Sequence, residues 1–528
     1  MHKALLRFSK FYALLVIFLI LVGCKAISPI AVPVAPPTVQ NASTRTPLSI
    51  PGTEQPEQAV DQSAALLPSF QGDLTSLHNL TRYKISLDID YPAQTISGIG
   101  QVVYTNTETV PLDSLYFRLL PNGHQSYGNG SLSASKVTLD GQPLQTNLSL
   151  SDSVMQVELP HELAVGKSAN LVIDFSGSVP QDFGGSATPA GYGIYNFSDG
   201  VMTLSGWYPI LAVYDQNGWN LDPVSPIGDS VYSEMAYYSV EATTASDLVL
   251  ASTGIEIGRS TKDQKTLHYL VSGPARDFTL VLSPDFQVVS RVVGGTQVNA
   301  YYLNDHSVGG NQALSVASDS LEIYGRHFGA YPYTELDVVD VPMRNASGVE
   351  YPGIVLIGDS LYNEPTSSFF IVAVAHEVAH QWWYNLVGND VFQDPWLDEA
   401  LTSYTSGLYE QEALGENAYQ GLVSYWQGRY DQVVQIGKDD LVTESLAHFE
   451  SLRDPRGYSW VVYSKGPLFF KAVRDRIGDK AFFEALRNYY QQEKYRVARP
   501  DDLLNAFNRA AGQSLVDLYQ TWLYSAEK

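Results

Sequence analysis

Two histidines and two glutamates stand on an apolar background in "AVAHEVAHQWWYNLVGNDVFQDPWLDEALTSY", residues 373–404. His376 and His380 are four residues apart, so in a helix of 3.6 residues per turn both imidazoles project from one face. Two imidazoles placed in this way can share one Zn²⁺ in tetrahedral coordination. Glu377 is offset enough to act as a general base on a water at the metal. The alternative is a buried helix whose two histidines are only hydrogen-bonded.

A third candidate ligand, Glu399, lies on the helix that is predicted to follow. Gly388 is a typical helix stop, and the chain then turns through "NDVFQDP". Asp394 can cap a new helix with Pro395 at its first position, which places Glu399 one turn inside that helix. Two antiparallel helices joined by a short turn would bring Glu399 beside the histidines. Three protein ligands leave a fourth position for water, so the pattern predicts one catalytic Zn²⁺ per chain.

The elements that must position these residues fall into two regions. Residues 73–295 contain alternating runs such as "YKISLDIDY", separated by turn residues, which predicts an all-β domain. From residue 296 to 528 the period becomes helical, with strands at "LDVVDVP" and "YPGIVLIG". The predicted helices span residues 312–329, 368–387, 395–414, 417–435, 462–477, 480–494, 501–511 and 515–524. The fold class is therefore α+β and multidomain.

The first 23 residues are typical of a signal peptide. Basic residues precede an apolar run over 11–22, which is shorter than the roughly 20 residues that cross a bilayer. The run ends in "LVGC", which resembles a bacterial lipobox and predicts cleavage before Cys24, the only cysteine, with lipid on its sulfur. An ordinary signal or an uncleaved anchor is the alternative. We expect an extracytoplasmic, membrane-anchored bacterial lipoprotein, at the cell surface or in the periplasm.

Composition limits the partners of the chain. Residues 24–72 are rich in Pro, Ala, Ser, Thr and Gln without a persistent period, which predicts a flexible tether between lipid and body. Without residues 1–23 the chain carries 29 basic and 56 acidic side chains, a net charge of −27. This charge argues against nucleic-acid binding, which needs a basic face. The membrane, through the lipid, is an expected partner, and no obligate protein partner is evident from the sequence.

The segment around the histidines resembles the aminopeptidase N family of zinc metallopeptidases, a gluzincin group. H-E-x-x-H is followed by 18 residues, 381–398, and then a glutamate. "HEVAHQWWYNLVG" and "WLDEALTSY" are similar to the family blocks "HExxHQWxGxxV" and "WLNEGxA". The resemblance implies a thermolysin-like, mostly α-helical catalytic domain after a saddle-like all-β domain. It also implies peptide substrates and a zinc-dependent aminopeptidase activity, which removes N-terminal residues by attack of metal-activated water.

Two further blocks extend the resemblance to substrate binding. "SGVEYPGIVLIG" stands where the family has Gly-x-Met-Glu-Asn, which implies that Glu350 binds the free α-amine of the substrate and that Gly348 lies in the same pocket. "VVYSKGPLFF" supplies Tyr463, the counterpart of a tyrosine that donates its O–H to the developing oxyanion. Tyr458 matches a second family tyrosine five residues earlier. The strand "IVLIG" could bind an extended peptide by edge pairing.

The chain also departs from the family pattern. Ser347, Val349 and Tyr351 replace Gly, Met and Asn of the amine-binding segment, so an endopeptidase or a dipeptidase-like preference stays open. The sequence ends 65 residues after Tyr463. This length predicts a short form without the C-terminal α-helical domain of larger members, and a more open cleft. A third alternative is an inactive surface binding protein on the same fold.

Overall fold

The structure, a computed structural model, describes residues 62–527 except 124–125, 182–191 and 230. The predicted signal peptide, Cys24 and most of the predicted tether lie outside the described residues. The last part of that tether, residues 62–72, is folded and not extended. It forms the short 3₁₀ turns Gln62–Ala65 and Pro68–Phe70, because the apolar Leu66 between them is buried in the main hydrophobic core.

The first part of the described chain is built from β-strands, as predicted. Strand Thr81–Asp90 alternates strictly between buried and exposed residues, which is typical of a sheet with one face on a core. It pairs parallel with Ala236–Ala245 and antiparallel with Thr95–Thr105. These strands lie in an eight-stranded sheet with the spatial order Ile255–Lys262, Lys265–Val271, Ala236–Ala245, Thr81–Asp90, Thr95–Thr105, Ser168–Ser178, Ser131–Leu139 and Gln142–Pro143.

Two four-stranded sheets complete this β-domain. One has the order Val249–Ser252, Leu280–Ser283, Val201–Leu204 and Tyr195–Ser198, and the other has the order Ile210–Leu211, Leu112–Arg118, Val154–Leu163 and Thr146–Ser149. A short hairpin, Tyr214–Asp215 with Gly218–Trp219, follows. The aromatic side chains of Tyr83, Tyr208 and Tyr238 contact one another in the buried core of this domain. The core of the domain is thus closed by strands that are distant in sequence.

A five-stranded mixed sheet opens the second domain. Its order is Gln287–Val293, Thr296–Tyr302, Glu335–Val341, Ile354–Gly358 and Gly348–Tyr351. Strand Gln287–Val293 pairs along its length with Thr296–Tyr302, so this domain begins before residue 296, the predicted boundary. Ile354–Gly358 is an inner strand, and the edge of the sheet beside it is formed by Gly348–Tyr351, which we call the edge strand. The predicted edge pairing of a peptide with "IVLIG" is therefore wrong for that strand.

Helices make up the rest of the second domain. They are Ser307–Phe328, Ser368–Ala379, Trp396–Tyr409, Glu416–Gln435, Leu446–Ser451, Pro455–Trp460, Gly466–Glu493, Pro500–Ala511 and Val516–Trp522, with π-helical turns at Glu410–Leu414 and Val461–Lys465. The helices predicted over 462–477 and 480–494 meet at Gly478, whose φ of 78° breaks the helical path between them. The mixed α+β fold class is confirmed. No helix among the described residues has the length and apolar character needed to cross a membrane.

Candidate active site

The two histidines lie at the end of helix Ser368–Ala379, which we call the histidine helix. Ser367 caps its start by accepting a hydrogen bond from the backbone N–H of Phe370. Apolar residues along the body of the helix, such as Val374 and Val378, are buried. The helix ends at Ala379 with His380 as its C-cap, so it is shorter than the predicted span of 368–387. His376 and His380 therefore present their imidazoles at the last helical turn.

Glu399 lies near the start of helix Trp396–Tyr409, which we call the glutamate helix and which is buried along its whole length. The predicted side-chain cap by Asp394 is not observed. Instead the backbone carbonyl of Asp394 accepts from the N–H of Leu397, and the Asp398 carboxylate accepts from the N–H of Glu399 at 2.8 Å. The cap differs from the prediction, but the helix still places Glu399 against the histidines.

Three donor atoms converge between the two helices. The Nε2 atoms of His376 and His380 are 3.2 Å apart. Oε2 of Glu399 lies 3.2 Å from the first of these nitrogens and 3.4 Å from the second. Ligands about 2.0–2.1 Å from a tetrahedral zinc ion stand about 3.3 Å from one another. The predicted ligands are thus brought together, and two imidazoles with one carboxylate fit zinc.

The hydrogen bonds of His380 fix which nitrogen faces the metal position. Its Nδ1 lies 2.9 Å from the backbone carbonyl of Trp383. A carbonyl oxygen only accepts hydrogen bonds, so Nδ1 must carry the hydrogen and Nε2 keeps its lone pair. The Thr402 hydroxyl lies 3.4 Å from the same Nδ1. The ring is therefore oriented by groups on its far side, as is usual for metal-binding histidines.

Glu377 is buried between the histidine helix and the edge strand. Its Oε2 has no hydrogen-bond partner among the described residues. Burial raises the pKa of Glu377 to about 8. Gly348 lies against this carboxylate, since a Cβ there would stand 2.4 Å from Oε1. The general base predicted from the sequence thus has a free oxygen beside the ligands, and Gly348 contacts that base directly.

Tyr463 reaches the ligands from the π-helical turn Val461–Lys465. Its hydroxyl donates a hydrogen bond to Oε1 of Glu399, and its ring stacks on that of His376 at 6.0 Å. Burial and the Glu399 charge raise the pKa of Tyr463 well above its usual value, so the phenol stays protonated. The ring of Tyr458 meets it edge-on at 5.5 Å. Tyr463 is thus a hydrogen-bond donor at the site, and Tyr458 packs behind it.

A second acidic group adjoins the zinc ligands. Glu350 lies on the edge strand, is buried, and places Oε1 3.8 Å from Nδ1 of His380. Asp229, on a loop of the β-domain, contributes a carboxylate oxygen that lies within 4.8 Å of oxygens of Glu350 and Asp398. Burial, followed by the Asp229 charge, raises the pKa of Glu350 well above its usual value. We call Glu350, Asp229 and Asp398 the carboxylate pocket.

Asp229 was not identified from the sequence. It lies in "PIGD", a loop segment without a motif, and only the fold brings it to the edge strand. Its Oδ2 has no hydrogen-bond partner among the described residues, and neither has Oε1 of Glu350 or Oδ2 of Asp398. Buried carboxylate oxygens without hydrogen-bond partners are costly when they are charged, unless a cation neutralises them. The pocket can therefore bind a cationic group next to the metal position.

Comparison with known proteins places these residues in a family context. Residues 312–522 match the Peptidase family M1 domain. The chain is 25% identical over 405 residues to Aminopeptidase M1-B of Oryza sativa subsp. japonica. The aligned region covers 74% of this chain and 45% of that protein. It is 27% identical over 209 residues to Aminopeptidase N of Streptomyces lividans, 37% of this chain and 24% of that protein. The chain thus spans less than half the length of these curated relatives.

A solved structure matches over a larger share of the fold. The M1 zinc metallopeptidase from Deinococcus radiodurans superposes with a TM-score of 0.63 at 18% identity, covering 84% of this chain and 93% of that chain. At this identity the likeness concerns the fold. It agrees with a β-domain followed by a helical domain that holds the histidine and glutamate helices. Residues 312–522 are therefore a peptidase family M1 domain, and the predicted resemblance to the aminopeptidase N family of zinc metallopeptidases is confirmed.

Proposed function

We propose that the protein is a zinc-dependent aminopeptidase that removes N-terminal residues from peptides. The observation that carries the proposal is the carboxylate pocket beside the zinc ligands. Its member Glu350 keeps the position of the family's amine-binding glutamate, and Asp229 adds a second carboxylate next to it. A free α-ammonium is the cation that a peptide substrate offers at its end. A pocket for it beside the metal selects the first peptide bond for cleavage.

The chemistry at the scissile bond is divided among few groups. Zinc bound by His376, His380 and Glu399 would polarise the scissile carbonyl and lower the pKa of the attacking water. Glu377 would take a proton from that water onto its free oxygen and pass it to the leaving amine. The raised pKa of Glu377 suits a group that must both accept and release a proton near neutral pH.

Tyr463 would stabilise the charge that develops on the carbonyl oxygen. In the structure its hydroxyl donates to Oε1 of Glu399. The hydroxyl is thus held at the edge of the ligand triangle, from which it could donate instead to an oxyanion. Because its pKa is raised, the hydroxyl keeps the proton that this role requires. A donor that strengthens its bond as charge develops lowers the barrier more than it strengthens substrate binding.

The edge strand would align the rest of the peptide. Gly348–Tyr351 pairs on one side with Ile354–Gly358 and has no strand partner on the other side among the described residues. An extended peptide could add to this free edge through backbone hydrogen bonds. The edge strand carries Glu350, so a peptide aligned along it would bring its first residue to the carboxylate pocket.

The test compares one aminoacyl p-nitroanilide with its N-acetylated counterpart. We expect the free-amine substrate to be cleaved with kcat/KM at least about a hundredfold higher, since the blocked one leaves the buried carboxylates without a cation. A chelator should abolish cleavage, and added zinc should restore it. Equal cleavage of both substrates would support an endopeptidase instead. No cleavage of either by the zinc-loaded protein would support an inactive binding protein.

The proposal includes attachment of the protein to a bacterial membrane, facing away from the cytoplasm. It is supported by the basic and apolar segments before "LVGC" and by Cys24 as the only cysteine. In a bacterial host, metabolic labelling with a tagged fatty acid should label the protein and recover it with the membranes. Cys24→Ser should remove both label and membrane association. Persistent labelling of the Cys24→Ser protein would refute this attachment.

A further inference from the structure

The loop that follows the histidine helix passes through a constrained backbone position at Tyr384. Its φ is 131°, which lies in the left-handed region that favours glycine over residues with a Cβ. The family block "HExxHQWxGxxV" has glycine at this place. Tyr384 is fully enclosed, so its ring and its backbone are both fixed by neighbours. Such a position persists only where the surrounding structure determines it.

Three contacts hold Tyr384 in this conformation. Its hydroxyl donates to Oδ2 of Asp277 at 2.5 Å. Its carbonyl accepts from Nε of Arg276 at 2.6 Å, and its N–H donates to the carbonyl of Val387 at 2.9 Å. Arg276 and Asp277 are consecutive residues of the β-domain, and both are buried. The side chain and the backbone carbonyl of Tyr384 are therefore both hydrogen-bonded to residues of the β-domain.

Arg276 ties this loop to more of the protein. Besides the carbonyl of Tyr384, its guanidinium donates to the carbonyls of Asn385 at 3.0 Å, Ser233 at 2.9 Å and Arg496 at 2.6 Å. These carbonyls belong to the loop, the β-domain and the C-terminal helical region. A planar guanidinium with several fixed donors is suited to join such segments rigidly. The loop is thus anchored on the domain interface and not only on its own helix.

The same loop orients the zinc ligand His380. Nδ1 of His380 donates to the carbonyl of Trp383, and that carbonyl belongs to the peptide group that ends at the nitrogen of Tyr384. The N–H of Asn385 donates to the carbonyl of His380 at 3.0 Å. The rings of Tyr384 and His380 also meet edge-on at 6.5 Å. The orientation of the Trp383 carbonyl therefore depends on the backbone conformation of Tyr384.

We propose that Arg276 and Asp277 of the β-domain are positioning residues for the zinc ligand His380 and act through Tyr384. Tyr384 lacks the conformational freedom of a glycine, and its positive φ is stabilised by the hydrogen bond to Asp277 and by the backbone contact to Arg276. The β-domain thereby contributes to metal retention in the neighbouring domain. The inference concerns only how zinc is held, and it stands whichever peptide bond the protein cleaves.

The test measures zinc release rather than turnover. Zinc-loaded wild type, Tyr384→Phe, Asp277→Ala and the double variant are mixed with a chromophoric chelator in excess, and the rate of zinc transfer is followed. Loss of an outer partner of a metal-binding histidine weakens zinc binding by about ten- to a hundredfold. We expect each single variant to release zinc about tenfold faster. The double variant should be no faster than the singles, because both remove one hydrogen bond.

The matched control is Tyr519→Phe in the C-terminal helices. The Tyr519 hydroxyl is also buried and donates to the carbonyl of Leu504 at 2.9 Å, without contact to the zinc ligands. Its removal should lower stability by a comparable amount and leave the rate of zinc release unchanged. Thermal unfolding of the zinc-free proteins compares this loss of stability. If Asp277→Ala does not fold, Tyr384→Phe decides alone. The proposal would be overturned if Tyr384→Phe released zinc at the wild-type rate. It would also be overturned if Tyr519→Phe released zinc as fast as Tyr384→Phe.

Discussion

Gly348 of the edge strand lies directly against the carboxylate of Glu377, with space for no larger residue. A Cβ at Gly348 would stand 2.4 Å from Oε1 and 2.6 Å from the carboxyl carbon. Such contacts force one partner to move. The strand that would align the substrate therefore also sets the position of the general base. Because Gly348 has no side chain, the carboxylate of Glu377 can lie directly against this strand.

Gly348→Ala should lower kcat by displacing Glu377 while the zinc ligands stay in place. A shift of about 1 Å in a catalytic group costs about a hundredfold in rate. Steady-state kinetics on an aminoacyl p-nitroanilide would measure the loss, with zinc content determined in parallel. The control is Gly358→Ala on the neighbouring strand, where an added Cβ meets nothing closer than 3.4 Å. Equal kcat values for Gly348→Ala and wild type would contradict this prediction, because they would show that the Glu377 carboxylate can move without loss of rate.

Glu377→Gln should keep the metal and lose turnover. The amide occupies the same space but cannot accept a proton from water, and a positioned acid–base group contributes about 10²- to 10⁴-fold to the rate. Zinc content by mass spectrometry and kcat by a chromogenic assay would be measured on the same preparation. The assignment of Glu377 as the base does not survive if the zinc-loaded variant retains wild-type turnover.

Glu350→Gln and Asp229→Asn should weaken action on free amines selectively. Each removes one carboxylate that can ionise opposite a bound ammonium, without changing the shape of the pocket, and a desolvated ion pair of this kind contributes about 2–5 kcal/mol. We expect kcat/KM for an aminoacyl p-nitroanilide to fall by at least about thirtyfold. The weak cleavage of the N-acetylated substrate should change little. A parallel decrease for both substrates would mean that these residues support the fold and do not bind the amine.

A pair formed by the partly buried His306 and the buried Asp340, away from the site, should make stability depend on pH. Nδ1 of His306 lies 2.6 Å from Oδ2 of Asp340, and this hydrogen bond raises the pKa of His306 above its ordinary value of 6.5. A raised folded-state pKa stabilises the protein at pH values below the unfolded pKa. That contribution is lost as the pH rises through the folded pKa.

His306→Gln can still donate a hydrogen bond to Asp340 but never carries charge. Wild type should therefore exceed this variant in free energy of unfolding by about 1–2 kcal/mol at pH values below the unfolded pKa, and the difference should shrink as the pH rises through the raised folded-state pKa of His306. Urea unfolding of the zinc-saturated proteins at several pH values provides the measurement. A difference that grows with pH would contradict the assigned sign.

The sequence predicted the residues that a helix spacing or a family block identifies. The four-residue spacing of the histidines placed them on one face, and the block around Glu399 located the third ligand. The end of the histidine helix was predicted wrongly at Gly388. The helix stops earlier because His380 bonds to the carbonyl of Trp383 and Tyr384 takes a positive φ. Neither feature has a signature in residue type.

Contacts between the domains could not be predicted. Asp229 reaches Glu350 from a β-domain loop, and Arg276 reaches the carbonyl of Tyr384 across the interface. Both pairs are distant in sequence and belong to no periodic pattern. The free edge of the catalytic sheet was also assigned to the wrong strand. Residue types do not show which of two neighbouring strands lies at the edge of a sheet. Here Gly348–Tyr351 pairs antiparallel with Ile354–Gly358 and occupies the edge.

The central claim is that His376, His380 and Glu399 hold one catalytic zinc ion. Its most direct test is the zinc content of the purified protein and of Glu399→Gln, measured together with hydrolysis of an aminoacyl p-nitroanilide. We predict about one zinc per chain in the wild type. Glu399→Gln should lose most of that zinc, and its activity should fall in proportion. A wild-type protein that cleaves the substrate without zinc, or a Glu399→Gln protein with full zinc content and full activity, would contradict the account.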